Sequence, residues 1–377
     1  MSAHSAIEWL FDPYLELAGA TWNRWIGCTR ISTACGNCYI FRQPPLRMRH
    51  LRFDKVAVGG KTPIVMMPEQ VLYKPLTYRR PLLIFPNSLA DLWHPAVPIE
   101  RTAEMFAVML LAARHVFQTT TKRHRRQRNW LRSARFHTLV AAALERIVVA
   151  SPVRIPAADL DAARAHLAAT GPDEPMAPLP NVWIGVTCEA NENGERLRYL
   201  AQTPAAVTWA SCEPITDPYL ELISHLADSD GQPLRVPDWV VFGGESGPAA
   251  KATELDTEPA PGLRPLDPTH LEMLIGQARQ LGAAVFVKQL GEPWARQVGA
   301  ASRAGRDMAE WPAALRVREY PIQLAERALR FDPGNLRALA ALSDASRAAE
   351  QVSLFAGAGR RSLIADLDSG QAAATGT

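Results

Sequence analysis

The sequence predicts an α/β protein built on an incomplete or modified TIM-type (β/α) barrel with a small C-terminal helical appendage. Three observations predict it. Six short apolar runs recur with helix-length stretches between them. Polar or charged residues follow each run at once. The 377 residues exceed an average domain yet suit one large barrel. With 47% hydrophobic and 21% charged residues, the composition excludes wholesale disorder and leaves enough apolar material for a substantial core.

The runs are Leu82–Phe85, His115–Gln118, Val182–Val186, Ala206–Trp209, Trp239–Phe242 and Ala284–Val287. Six such strands imply a parallel sheet. Between them, Pro98–Ala113 places Ala103, Phe106, Ala107 and Leu110 on one helical face, and Asp267–Leu281 does the same with Leu271, Leu274 and Ala278. Ala157–Pro180 holds a helical segment stopped by the prolines of GPDEPMAPLP, and the Pro-, Ala- and Gly-rich stretch Ser246–Pro265 reads as a long loop, a lid or simply mobile. After residue 321 the chain changes character. Residues 322–360 read as a helical hairpin that could dock a protein partner, and residues 361–377 as a disordered tail.

The N-terminal stretch has no basic region before its apolar residues and carries Glu8, Asp12 and Glu16, which is unlike an export signal. No apolar run is long enough for a bilayer, so a cytoplasmic location without a membrane partner is expected. The net charge is only +3, but the segment from Trp22 to Phe136 holds 20 Lys and Arg against 5 Asp and Glu. That asymmetry fits an anionic partner, nucleic acid first, or a solvated basic face.

Five cysteines is an odd count, and three of them, Cys28, Cys35 and Cys38, crowd into the C-x6-C-x2-C of GCTRISTACGNCY. The crowding suits thiolate ligation better than a disulfide framework. Three thiolates can hold three irons of a [4Fe–4S] cluster and leave the fourth open, which is what a radical S-adenosylmethionine (SAM) enzyme needs. A zinc site completed by a histidine such as His50, or three unconnected core cysteines, would use the same residues differently.

Residues just after the strands are the remaining site candidates, because the C-terminal strand ends of (β/α) barrels build the active site. Ser88 and Asp91 follow the first run, Lys122 and Arg123 the second, and Glu189, Glu213, Gly243-Gly244-Glu245 and Lys288 the next four. The glycines would let a ligand or backbone approach closely, and Glu245 could accept from an ammonium group. Glu189 and Glu213 could bind ribose hydroxyls or substrate, and Lys288 a carboxylate or phosphate; each could equally serve a structural salt bridge. The basic stretch Lys122, Arg123, Arg125, Arg126 and Arg128, with Trp130 nearby and Arg42, Arg47, Arg49 and Arg52 upstream, could form a phosphate-tracking groove. Cys188 and Cys212 are expected to be buried and inert.

The segments TWNRWIGCTRISTACGNCY, RRPLLIFPNSLADLWHPAVP, QTTTKR, LPNVWIGVTCE, TWASCEP, WVVFGGESGP, LRPLDPTHLE, FVKQLG and EWPAALRVREYP resemble a family of phage and prophage proteins with a three-cysteine motif, related to radical SAM enzymes. The resemblance covers about residues 21–321. It implies an incomplete barrel with the cluster near its top, SAM across the strand ends, and a 5′-deoxyadenosyl radical acting on a substrate for which nucleic acid is the preferred class. The chain departs from the mainstream radical SAM pattern. Six residues rather than three separate the first two cysteines, Asn37 stands where an aromatic precedes the third, and Gly243-Gly244-Glu245, similar to the strand end that receives the SAM amino group, comes late in the chain. Cys188 occupies a slot where the family generally has no cysteine. The alternative is a non-catalytic module, stabilised by zinc or a cluster, that binds nucleic acid or protein.

Overall fold

A computed structural model describes residues 5, 7–10, 17–42, 64–227, 230–247 and 262–321. The stretches read as a C-terminal hairpin and tail, most of the proposed lid, and His50, Arg47, Arg49 and Arg52 lie outside the described residues, as does the side chain of Arg42.

Among the described residues nine strands occur: β1 (Gly19–Trp22), β2 (Trp25–Ile26), β3 (Val65–Met66), β4 (Leu83–Pro86), β5 (Val116–Thr121), β6 (Val182–Thr187), β7 (Val207–Cys212), β8 (Trp239–Gly243) and β9 (Ala284–Gln289). Seven form one sheet in the order β1-β4-β5-β6-β7-β8-β9, every neighbouring pair parallel, while β2 and β3 make a small antiparallel pair. All six apolar runs are strands of this sheet. The seventh, β1, has only Ala20 and Trp22 as apolar residues and is too short to announce itself.

The described helices are α1 (Lys74–Thr77), α2 (Ile99–Leu111), α3 (His124–Leu131), α4 (Ala134–Ala150), α5 (Ala157–Ala168), α6 (Glu195–Ala201), α7 (Pro268–Gln280) and α8 (Glu292–Val298). α7 starts on Pro268 behind Asp267, whose carboxylate accepts from the Thr269 N–H at 2.9 Å, a proper N-cap. None of the described helices is long and apolar enough to cross a membrane.

Strand order without a reversal is the decisive feature. Right-handed crossovers between sequential strands put the helices on one side of the sheet, and a sheet covered on one side only can curl over its other face. The result is a half-barrel rather than a closed TIM-type barrel. Two apolar cores follow from the alternation of side chains along the strands. The outer face, with Ile84, Phe117, Ile184, Ala210, Val240 and Val285, packs on Phe106 of α2, Val140 of α4 and Leu271 of α7. The inner face is filled by aromatics: Phe85, Trp183, Trp209, Trp239 and Phe286, closed by Trp9 from the N-terminal segment.

Toward the strand C-termini the inner positions change from large to small and hydroxylic: Thr21, Thr120, Thr187, Ser211 and Gly243. Aromatic fill below and short side chains above leave a cavity at the top of the half-barrel. The close approach at the lower layer depends on Gly185, whose Cβ, if it had one, would meet the Trp209 indole at 2.4 Å and the Thr119 carbonyl at 2.7 Å. Gly185→Ala is expected to destabilise the protein by about 1–3 kcal/mol, measured by urea denaturation; an unchanged midpoint would contradict this packing.

Candidate functional site

A cavity of about 620 Å³ opens at the C-terminal ends of the strands. Its wall contains all three clustered cysteines, Cys28, Cys35 and Cys38, and, among the described residues, no histidine. The cysteines belong to the connection after β2, where the backbone takes a 3-10 turn over Thr33–Asn37 and the Cys38 N–H returns to the Cys35 carbonyl at 3.3 Å. Of the other expected site residues, Ser88, Asp91, Lys122, Arg123, Glu213, Gly244, Glu245 and Lys288 also line it.

The carboxylates at the mouth are each matched by a cation, mostly from another strand end. Arg123 Nη1 donates to Asp91 at 2.9 Å, and Lys122 Nζ to Glu189 at 2.7 Å. Lys288 pairs with Glu213, and Arg264 grips Glu245 through its Nε at 3.1 Å and its backbone N–H at 2.8 Å. Glu189 is completely buried and takes a second cation, Arg196 of α6, at 2.7 Å. It does not line the cavity, and the structural salt bridge is the arrangement it takes here. Its other oxygen contact is the Ser32 hydroxyl, which also lies 3.5 Å from the Cys35 sulfur. The cysteine loop is thereby clamped to the ends of β5 and β6.

Gly243 and Gly244 make close approaches, but to protein. A Cβ on Gly244 would meet the Leu290 carbonyl oxygen at 2.2 Å, and one on Gly243 the Glu213 side chain at 3.0 Å. Gly244 lets the ends of β8 and β9 close on each other, where the ladder register shifts at Phe242/Gly243, and Gly243 makes room for Glu213. Gly243 does not line the cavity; Gly244 does.

The thiols differ electrostatically. Burial pushes Cys28 up to about 12, opposed by Arg123, whose Nη1 stands 3.6 Å from its sulfur. Burial also acts on Cys35, but Lys122, a backbone N–H contact at Ile31 and the Ser32 hydroxyl outweigh it and bring the thiol below its ordinary value. Two cations thus face a group of sulfurs that is anionic when ligating. Cys188 and Cys212, in contrast, are fully buried and raised by desolvation, as expected for packing residues.

Arg125 and Arg126 do not line the cavity. Arg125 is exposed and pairs with Glu195 at 2.6 Å, while Arg126 lies over the Trp130 ring. The basic stretch is therefore divided: Lys122 and Arg123 turn into the site and the arginines of α3 form a separate outer face. Sequence reasoning missed Ser32, Arg196, Arg264 and Thr21, all of which hold or line the site. Arg196, seven residues after Glu189, was the one detectable signal.

Among the described residues no three His, Cys, Asp or Glu side chains converge as a single metal ion requires. Cys28, Cys35 and Cys38 do place three thiol donors on one cavity wall, the ligand type that an iron–sulfur cluster takes.

Fold and site together define a parallel α/β half-barrel with a three-thiol cavity at its strand C-termini. The chain belongs to the family DUF5131, described as proteins of unknown function, whose pattern matches residues 12–313. No curated protein and no solved structure matches the chain.

The buried pairs yield two expectations. Glu189→Ala, which strands Lys122 and Arg196 without their carboxylate, is expected to cost about 3–5 kcal/mol by urea denaturation; a cost below 1 kcal/mol would refute the clamp. The second concerns acid. His94 Nδ1 accepts from the Ala96 N–H at 3.2 Å, and His115 Nδ1 from the Leu82 N–H at 3.2 Å, so both rings are held neutral. Burial lowers them to about 4 and about 3. The unfolded chain takes up these protons near pH 6.5 and the folded chain does not, so stability falls as pH drops from about 6.5 toward 4. Asp91 and Glu189, held below the ordinary carboxylate range by Arg123 and Lys122 against the opposing effect of burial, add their loss at lower pH still. Equal unfolding midpoints at pH 7 and pH 5 would contradict the neutral histidines.

Proposed function

We propose that the cavity is the seat of a radical-SAM-like reaction, with Cys28, Cys35 and Cys38 holding a [4Fe–4S] cluster and nucleic acid as the preferred substrate class. The observation that carries the reading is the convergence of three cysteines on one wall of a cavity at the C-terminal strand ends. The half-barrel is on this reading an incomplete TIM-type barrel, and the likeness of its segments to the three-cysteine phage family points the same way.

When bound, a cluster with one open iron supplies an electron to SAM chelated there, and the chemistry belongs to that pair. The chain's own residues do the rest. Lys122 and Arg123 balance the negative charge of the ligating thiolates. The Ser32–Glu189–Arg196 clamp holds the cysteine loop in register with β5 and β6. Glu213 and Glu245 offer carboxylates to an ammonium group and Lys288 offers a cation to a carboxylate, each by exchanging its present ion-pair partner. The hydroxyls of Thr120, Thr187 and Ser211 line the floor where a ribose or substrate could be oriented, and the aromatic layer below shuts out water.

Zinc, completed by a histidine such as His50, is the competing occupant. The reading is tested by anaerobic purification and analysis of iron, sulfide and zinc. About four irons and four sulfides per chain are expected, lost in Cys28→Ser, Cys35→Ser and Cys38→Ser alike; one zinc per chain and no sulfide would overturn the reading.

A further inference from the structure

From Met105 to Leu144 the chain contains no Asp or Glu, and seven of its Lys and Arg fall between 122 and 135. Lys122 and Arg123 turn into the cavity, and the rest continue outward along α3 and into α4. Their guanidinium groups are arranged on two aromatic rings. Arg125 and Arg128 each lie 5.3 Å from the Tyr199 ring centre, and Arg126 and Arg135 lie 6.0 and 5.9 Å from that of Trp130. Arg128 also donates to Gln202 Oε1 at 2.9 Å and Arg132 to the Gln202 carbonyl at 3.3 Å. Among the described residues only Arg125 of this group has a carboxylate partner, Glu195; Arg126, Arg128, Arg132 and Arg135 form no ion pair.

Packing like charges side by side costs energy unless an anion lies across them. Stacking on an aromatic face fixes a guanidinium plane while leaving most of its five N–H donors free at the edge, a form suited to phosphate oxygens. The face has no large exposed apolar side chain between Lys122 and Leu144, so it lacks the apolar centre that a protein partner would bury. We infer that the arginines of α3 and the start of α4 dock the phosphate backbone of a nucleic acid and lead it to the cavity rim, where the same strand end presents Lys122 and Arg123. The inference rests on the proposed cavity chemistry only for where the strand leads; docking itself does not.

The test is a fluorescence anisotropy titration of a labelled 20-nucleotide oligothymidylate with the full chain, repeated between 50 and 200 mM salt. Binding is expected with a log–log salt slope near −3, as neutralising about four phosphates of a single strand gives. Arg128→Ala/Arg132→Ala/Arg135→Ala should weaken it at least tenfold at low salt and reduce the slope by about 2. Arg132→Ala alone should reduce it by about 0.7, a fallback should the triple variant fail to fold. Unchanged binding in the variants would overturn the inference, as would polyglutamate binding as tightly as the oligonucleotide. Anaerobically purified protein that holds no cluster yet binds the oligonucleotide contradicts the cofactor reading alone, and cluster-loaded protein that does not bind it contradicts docking alone.

Discussion

A carboxylate leaves water completely only when positive charge and hydrogen bonds replace its hydration. Glu189 does so between Lys122, Arg196 and the Ser32 hydroxyl, and the upper half of the molecule is organised around that exchange. Lys122 comes from the end of β5, Glu189 from the end of β6, Arg196 from the following helix and Ser32 from the loop that carries the cysteines. Removing the carboxylate would leave two cations buried and the cysteine loop without its hold on the sheet. The same arrangement aims Lys122 at Cys35, so the group that anchors the loop also sets the field at a sulfur.

The lower half explains why there is a cavity to anchor the loop over. Strands laid down in sequence order, with all helices on one side, leave an inner face that must be filled by side chains alone. Five aromatic side chains from β4 and β6 to β9, with Trp9, fill it at the bottom, where Trp9 meets Phe85 at 5.0 Å and Trp209 at 5.2 Å between ring centres. Nearer the strand ends the inner positions of β6, β7 and β8 carry Thr187, Ser211 and Gly243, which cannot reach across. The cavity is thus a consequence of a change in side-chain size along the strands, and everything polar at the mouth borders space that the core leaves open.

Much of this was legible in the sequence. Strands buried on both faces read as continuous apolar runs, which is why β4 to β9 were visible and their C-terminal neighbours Ser88, Asp91, Lys122, Arg123, Glu213, Glu245 and Lys288 could be placed near one mouth. β1 was not, because GATW holds too little apolar material, and α4 was not singled out because it follows α3 with only Arg132 and Ser133 between them. The partners of the strand-end charges were hidden for a different reason. Ser32 and Glu189 are 157 residues apart, and Lys288 and Glu213 are 75 apart; no local pattern encodes such pairings. Sequence could not choose between a ligand role and a structural one for Gly243 or Glu189 on the same ground, since a glycine that admits a ligand and one that admits a neighbouring side chain look alike until the fold is closed.

The proposal to test is that Cys28, Cys35 and Cys38 would hold a cluster able to bind SAM. Electron paramagnetic resonance of the anaerobic, dithionite-reduced protein, recorded with and without SAM, tests it most directly. The account predicts a reduced [4Fe–4S] signal whose line shape changes when SAM is added; a signal indifferent to SAM, or none from protein shown to contain iron and sulfide, would contradict it.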